Sequence, residues 1–181
     1  MNDKVAVLKR ARAVPPVASD EARERRLHLR AHSYWTTLLR AGQPAPLWQD
    51  FDPLRIDDRC TQSFVLDLGV DGAADALRLI GPALKAEGGF DADALELGDA
   101  PKGSLLMRLA TFVPELVRRA VPLQVEAPFE TADGRPALYR GMLMPFSQDG
   151  SRIDTVFGVV SWRELPAETE ERPAATIIPI R

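Results

Sequence analysis

Two histidines are the side chains in this sequence best suited to binding a metal. His28 and His32 stand four residues apart and Glu24 stands one turn earlier, so all three would share one face of a helix. The zinc-protease pattern has Glu directly after the first His, whereas Leu29 follows His28 here. We therefore expect both histidines to be solvated, and we predict no metal site.

The single cysteine, Cys60, leaves two interpretations open. Its neighbour Arg59 would favour a reactive thiolate, but a lone cysteine at the start of a strand more often packs as a small hydrophobic residue. One cysteine cannot form an internal disulfide or a cysteine-based zinc site. The carboxylate pairs Asp57-Asp58 and Asp91/Asp93 lie in loop-like stretches and are typical of solvated turns.

Motifs of nucleophilic and nucleotide chemistry are missing from the sequence. It has no Gly-rich phosphate loop, no Gly-x-Ser-x-Gly motif and no Ser/His/Asp set. We therefore expect that the protein is not an enzyme.

Length and composition indicate one globular domain. The chain has 181 residues, of which 45% are hydrophobic and 27% charged, enough to bury a core without disulfides or metals. No apolar run approaches the roughly 18 residues that span a bilayer. The apolar stretch Val5–Leu8 is shorter than a signal-peptide core of about 7–15 residues. We expect a cytoplasmic protein without membrane insertion.

Positive charge is concentrated near the start of the chain. The net charge is −3, yet residues 1–40 hold nine Lys and Arg against four Asp and Glu. An arginine cluster in this region could bind an anion such as a nucleotide, or an acidic partner; the preferred interpretation is the solvated side of an amphipathic helix. Tyr34 and Trp35 do not interleave with the arginines as base-stacking platforms would, so we expect no nucleic-acid binding. The cluster consists of Arg23, Arg25, Arg26 and Arg30.

An amphipathic helix is predicted over residues 20–41, after a flexible basic arm over residues 1–19. Ser19 or Asp20 can cap the start of this helix, and Gly42 and Pro44 end it. Apolar residues recur along it at helical spacing and form one stripe. The stripe consists of Leu27, Ala31, Tyr34, Trp35 and Leu38.

The rest of the chain is predicted to form strands and short helices, with a domain over residues 42–164 and a loose acidic tail over residues 165–181. A second helix is predicted over residues 103–120, where Pro114 should kink it or start a new helix. The last three strands follow one another through tight turns, which predicts an α+β fold rather than alternating βαβ units. The predicted strands cover residues 60–68, 77–80, 123–130, 136–146 and 152–163, and the turns are Asp133-Gly134 and Asp149-Gly150.

The last predicted strand is apolar on both faces, so another element must cover it. One face carries Ile153, Phe157 and Val159, and the other carries Val156, Val160 and Trp162. We expect the N-terminal stripe to pack on the second face, or to be shared between two copies of the chain.

Several motifs, in this order, resemble a divergent bacterial PAS family of short, often stand-alone proteins. The similarity covers roughly residues 33–163. The motifs are Tyr34-Trp35, Gly42-Gln-Pro-Ala-Pro46, Phe51-Asp52-Pro53-Leu54, Ser63-Phe-Val-Leu-Asp67, Leu79-Ile80-Gly81, Leu143-Met-Pro-Phe-Ser147, Arg152-Ile153-Asp154 and Phe157-Gly158-Val159.

The resemblance implies a PAS-like five-stranded antiparallel sheet with helices on one face, to which the N-terminal helix adds an extension. It also implies a sensory or protein-interaction module in signalling, and a homodimer formed through the flanking helix. Haem-binding relatives usually offer a histidine from the helical side of the pocket, and flavin photosensors need a cysteine in an Asn-Cys motif. Neither His28, His32 nor Cys60 meets these requirements, so haem and flavin are not expected.

Residues between the predicted sheet and helices are candidates for a pocket that holds a small apolar or aromatic ligand. They could equally fill a dry core. The candidates are Phe64, Leu66, Leu79, Leu105, Leu109, Phe112, Leu143, Phe157 and Val159.

The sequence thus favours a non-enzymatic signalling module that acts through protein contacts, with a small ligand as the gate. The alternatives are a ligand-sensing or storage domain and an anion binder that uses the arginine cluster. The apolar tip Ile177-Ile178-Pro179-Ile180 could add a strand to a partner's sheet, fold back on its own domain or hang free.

Overall fold

One antiparallel sheet of six strands organises the computed structural model, which describes residues 20–56, 60–90, 97–165 and 175–178. The strand order is β2-β1-β5-β4-β3-β6. The strands are β1 (Ser63–Leu68), β2 (Ala74–Ile80), β3 (Leu123–Glu130), β4 (Pro136–Phe146), β5 (Thr155–Glu164) and β6 (Thr176–Ile178). The first five strands confirm the expected sheet, and the sixth is an addition to it.

Four helices accompany the sheet in the described ranges. They are α1 (Asp20–Leu38), α2 (Pro82–Gly88), α3 (Leu105–Ala110) and α4 (Val113–Arg119), and 3₁₀ turns occupy Trp48–Asp50, Pro53–Arg55 and Leu97–Asp99. The helix predicted over residues 103–120 is therefore two helices. Pro114 lies in the first turn of α4, where its missing N–H costs no helical hydrogen bond.

Two hairpins confirm the predicted turns. Gly134, between β3 and β4, has a φ of 76°, and Gly150, between β4 and β5, has a φ of 84°. A side chain at this φ would clash with the backbone, so glycine fits both turns. The strands on either side pair in continuous register, as in Glu130 with Pro136 and Phe146 with Thr155.

The sheet is covered on both faces. The α3 face packs against α2, α3 and α4, and it carries Phe64, Leu66, Val125, Leu143, Val156 and Val160. The α1 face packs against α1, and it carries Val65, Met142, Met144, Phe146, Phe157 and Val159. Because side chains alternate along a strand, neighbouring residues of β5 belong to opposite faces.

The C-terminal tip lies on the chain's own sheet. Residues Thr176–Ile178 pair with Gln124–Glu126 at the edge of β3, and Ile177 packs against the core of the α3 face. The prediction of a loose tail over residues 165–181 is therefore wrong for this short strand. Residues 166–174 and 179–181 of that tail, and the predicted arm over residues 1–19, lie outside the described residues.

Candidate functional site

Most of the predicted pocket residues do meet on the α3 face. Phe64, Leu66, Leu105, Leu109 and Leu143 are buried there, and Phe112 packs against them from the junction of α3 and α4. These residues lie where strands β1 and β4 pack against helix α3.

Two glycines allow this core to pack closely. A Cβ on Gly141 would lie 2.6 Å from Cδ2 of Leu109, and one on Gly158 would clash with Cζ and Cε1 of the Phe64 ring. Leu109 and Phe64 therefore fill the space above β4 and β5 that side chains at positions 141 and 158 would otherwise occupy. The contacts favour a filled core over an open pocket at this position.

Three predicted pocket residues lie elsewhere. Phe157 and Val159 belong to the α1 face. Leu79 is opposite Val65, also on the α1 face, and is 37% exposed. Their assignment to the pocket is corrected, because β5 presents Phe157 and Val159 to α1 and not to α3.

The converse correction applies to the predicted partners of the α1 stripe. Val156 and Val160 are buried in the core of the α3 face, and Trp162 packs against that core. The stripe instead contacts the face of Phe157 and Val159. The prediction thus exchanged the two faces of the strand, and it also placed Ile153 with Phe157 and Val159, whereas Ile153 lies in the core of the α3 face.

Helix α1 is anchored by its C-terminal half. Trp35 is 4% exposed, and its indole Nε1 donates a hydrogen bond of 2.8 Å to the main-chain oxygen of Pro145. Ala31, one turn earlier, is fully buried. Leu27, Tyr34 and Leu38 are half-buried along its flanks. The stripe is thus covered by the chain's own sheet.

An aromatic cluster extends this anchor beyond the helix. The ring of Phe51 lies 5.6 Å from that of Tyr34 and 4.4 Å from that of Phe146, measured between centroids. The hydroxyl of Tyr34 accepts a hydrogen bond of 3.1 Å from the main-chain nitrogen of Asp52. The connector after α1 therefore belongs to the same packed unit as the helix.

The N-terminal half of α1 rests on a polar part of the sheet. His28 is 2% exposed, and neither ring nitrogen has a hydrogen-bond partner among the described residues. Burial lowers the pKa of His28 to about 4, and the charge of Arg140 lowers it as well. The expectation that this histidine is solvated is therefore wrong, and the imidazole is neutral at pH 7.

Three strands contribute to this polar part. Arg140 of β4 lies opposite Glu126 of β3 and Ser161 of β5. Its Nε donates to Glu126 over 2.7 Å, while the hydroxyl of Ser161 is buried without a partner among the residues described. His28, Arg140, Glu126 and Ser161 are here called the polar seam.

The arginine cluster shows one specific contact. Arg30 donates through Nη2 to the main-chain oxygen of Ile56 over 3.0 Å, which joins α1 to the 3₁₀ turn before β1. The side chains of Arg23, Arg25 and Arg26 lie outside the described part of the structure. The anion-site hypothesis for these residues stays a prediction.

A cavity of about 390 Å³ opens between α1, the loop from α4 to β3, and β6. We call it the α1–β6 cavity. Its polar lining is His32 and Arg119, and its apolar lining is Trp35, Val121, Pro122, Leu123, Ile177 and Ile178. This site has no local signal in the sequence, because β6 reaches β3 only through long-range pairing.

Cys60 and the other candidate sites offer little evidence for a function. Cys60 is half-buried, with a φ of 47°, in the turn that leads into β1. Within the described ranges, no three His, Cys, Asp or Glu side chains are placed to hold a metal ion. None of the helices in the described part of the chain has the length and apolarity needed to cross a bilayer.

Comparison with known proteins identifies a family. The model of the PAS domain family matches residues 24–161, which is more than half of the chain. Comparison with curated proteins gives no match.

The matches among solved structures have low sequence identity. The RsLOV d2 variant is 16% identical over 60% of this chain and 61% of its own, with a TM-score of 0.39. A second RsLOV variant is 15% identical over 63% of this chain and 65% of its own, with a TM-score of 0.42. Each match thus spans less than two thirds of the RsLOV chain. A PAS domain of a protein from Colwellia psychrerythraea is 12% identical over 63% of this chain and 98% of its own, with a TM-score of 0.37.

Proposed function

Because the chain belongs to the PAS domain family, whose members are generally sensory or signalling modules, we propose that it is a non-enzymatic signalling module that acts through protein–protein contacts. Helix α1 is the moving element: it is docked on the sheet in one state and released from it in the other. The observation that carries the proposal is how α1 covers one face of the sheet. Its C-terminal half packs on apolar residues, whereas its N-terminal half lies on the polar seam.

The two halves of the interface differ in strength. Ala31 and Trp35 bury apolar surface, and Trp35 adds a buried hydrogen bond to Pro145. His28 is buried without a partner among the described residues, and such a group costs about 1–3 kcal/mol. Release that begins at the polar seam therefore needs less free energy than release that begins at Trp35.

The released face would be a contact surface. It exposes Met142, Met144, Phe157 and Val159 together with Val65, and an apolar face of this kind suits an amphipathic helix. A second copy of the chain offers such a helix in its own α1. Homodimer formation through the stripe then requires α1 to leave its own sheet, since the stripe is covered in the docked state.

A role in ligand storage between the sheet and α3 has less support. Leu109 packs on Gly141 and Phe64 packs on Gly158, so ligand entry would need both side chains to move. Protein contact needs only the displacement of α1.

Self-association of the full chain tests the proposal. Analytical ultracentrifugation over a wide concentration range would compare the wild type with Trp35→Phe, which weakens docking, and His28→Leu, which strengthens it. We expect association to increase in W35F and to decrease in H28L. A chain that stays monomeric in all three forms, or that associates equally in all three, contradicts a contact surface uncovered by α1.

A further inference from the structure

The α1–β6 cavity joins the moving helix to the strand at the edge of the sheet. Its volume of about 390 Å³ falls within the range of small-molecule sites, about 300–1,000 Å³. It lies at the edge of the sheet beside the C-terminal half of α1, and so is separate from the filled core around Leu109.

The apolar walls come from three separate segments. Trp35 belongs to α1, Leu123 starts β3, and Ile177 belongs to β6. Val121, which also lines the cavity, is 47% exposed. These side chains can bury the apolar body of a small ligand.

The polar groups of the cavity favour an anion. Arg119 pairs through Nε with Glu115, and its two Nη atoms have no partner among the residues that the structure describes. Because the pair with Glu115 uses Nε, both Nη groups of this partly exposed side chain stay available to a ligand. A carboxylate can accept two parallel hydrogen bonds from a guanidinium, which gives such a pair both strength and orientation. His32, also in the lining, can donate a further hydrogen bond.

We propose that the α1–β6 cavity binds a small monocarboxylate with an apolar body. The carboxylate lies at Arg119 and His32, and the apolar body lies along Trp35, Leu123 and Ile177. Because α1 and β6 both form its walls, an occupied cavity stabilises α1 on the sheet by mass action. This inference rests on the proposed function, in which release of α1 is the signal.

Binding of octanoate to the full chain tests the site, with octanol and octylamine as probes of equal chain length. Isothermal titration calorimetry would give the affinities, and NMR would follow the indole N–H of Trp35 and the methyl groups of Ile177 and Ile178. We expect octanoate to shift these signals and to bind more tightly than octanol or octylamine.

Two neighbouring arginines provide a matched pair of variants. Arg119→Gln removes the proposed carboxylate partner, whereas Arg118→Gln removes an arginine that also pairs with Glu115 but does not line the cavity. Hydrogen bonds to charged groups contribute enough that R119Q should weaken octanoate binding about tenfold or more. R118Q should retain the wild-type affinity.

Three results would overturn the inference. These are no shift of the cavity signals at millimolar octanoate, equal octanoate affinity in R119Q and R118Q, or shifts confined to the core around Leu109. Hydrogen exchange of α1 tests the coupling: octanoate that binds without slowing exchange in α1 overturns the stabilisation of the helix. The self-association of ligand-free W35F and H28L tests the proposed function separately, so the two failures can be told apart.

Discussion

The indole Nε1 of Trp35 donates to the main-chain oxygen of Pro145, and this bond of 2.8 Å joins α1 to the end of β4. The two residues are 110 positions apart in the chain, and the bond is buried. Without the indole nitrogen, the carbonyl oxygen would lose this donor in an apolar part of the interface, between Ala31, Phe146 and Phe157. The bond therefore fixes both the position and the rotation of α1 on the sheet.

Replacing Trp35 by Phe should weaken the docking of α1. The change leaves a buried acceptor without its donor, which costs about 1–3 kcal/mol. Hydrogen exchange should become faster in α1 and stay unchanged in α3. Trp48→Phe is the control, because Trp48 packs against Phe51 and Phe146 through its ring. Equal exchange of α1 in W35F and W48F would refute this role of the bond.

Replacing His28 by Leu should stabilise the protein at neutral pH. Leu fills the space of a buried imidazole that has no hydrogen-bond partner among the described residues, and removing such a polar group gains about 1–3 kcal/mol. Urea denaturation measures the difference. His32→Leu is the control, since His32 is only half-buried and its replacement should change the free energy of unfolding much less.

The stability of the wild type should also depend on pH through His28. Burial first, and then Arg140, lower the folded-state pKa of His28 from 6.5 to about 4, so the unfolded chain binds the proton more readily. The contribution of neutral His28 to the free energy of unfolding is complete above about pH 6.5. It is lost as the pH drops toward about 4, and the loss amounts to about 3 kcal/mol in total. The free energy of unfolding of the wild type minus that of H28L isolates this effect from the carboxylates. A difference that stays constant across this pH range would show that His28 does not cause it.

Replacing Gly158 by Ala should destabilise the α3 face. The added Cβ would clash with Cζ and Cε1 of the Phe64 ring, and overpacking of this kind costs about 1–3 kcal/mol. Gly98→Ala is the control, because a Cβ at Gly98 meets no atom within 4 Å. Thermal unfolding would compare the two variants. If G158A and G98A unfold at the same temperature, Phe64 is free to move, and it does not pack tightly against position 158.

Replacing Leu109 by Ala tests whether the core above Gly141 is filled. Leu109 is fully buried, and loss of such a side chain costs about 2–5 kcal/mol when it leaves a cavity. Leu54→Ala, at a residue that is 58% exposed, should cost much less. A cost for L109A as small as that for L54A would indicate an open pocket and would favour ligand storage.

Much of the fold could be predicted from local sequence. Turn residues such as Gly134 and Gly150 end strands through backbone conformations that glycine adopts readily, and the alternation from Leu123 to Phe129 matches the buried positions of β3. The faces of β5 could not be assigned in this way. A strand that is apolar on both sides gives no signal for which side meets which helix, and the pairing of Phe64 with Gly158 settles it only in the folded sheet.

The buried histidine did have a local signal. His28, Ala31 and Trp35 follow a helical spacing of three and four, and they are the buried positions of α1 among its described side chains. The predicted stripe already contained Ala31 and Trp35 but left out His28, because histidine was counted as polar. The α1–β6 cavity had no such signal, since Arg119 and Ile177 meet only through the pairing of β6 with β3.

The position of β5 between β1 and β4 has a consequence for how fast the protein folds. β1 with β2, and β3 with β4, are local hairpins that can form early, but neither completes the sheet. The two are joined only when β5 pairs with β1, as in Ser63 with Val159. Pairing over such a sequence separation carries a large loop-closure cost and slows folding. Since β5 already pairs locally with β4, we expect the rate-limiting step to be the pairing of β5 with β1, so that substitutions at this junction slow folding as well as lowering stability.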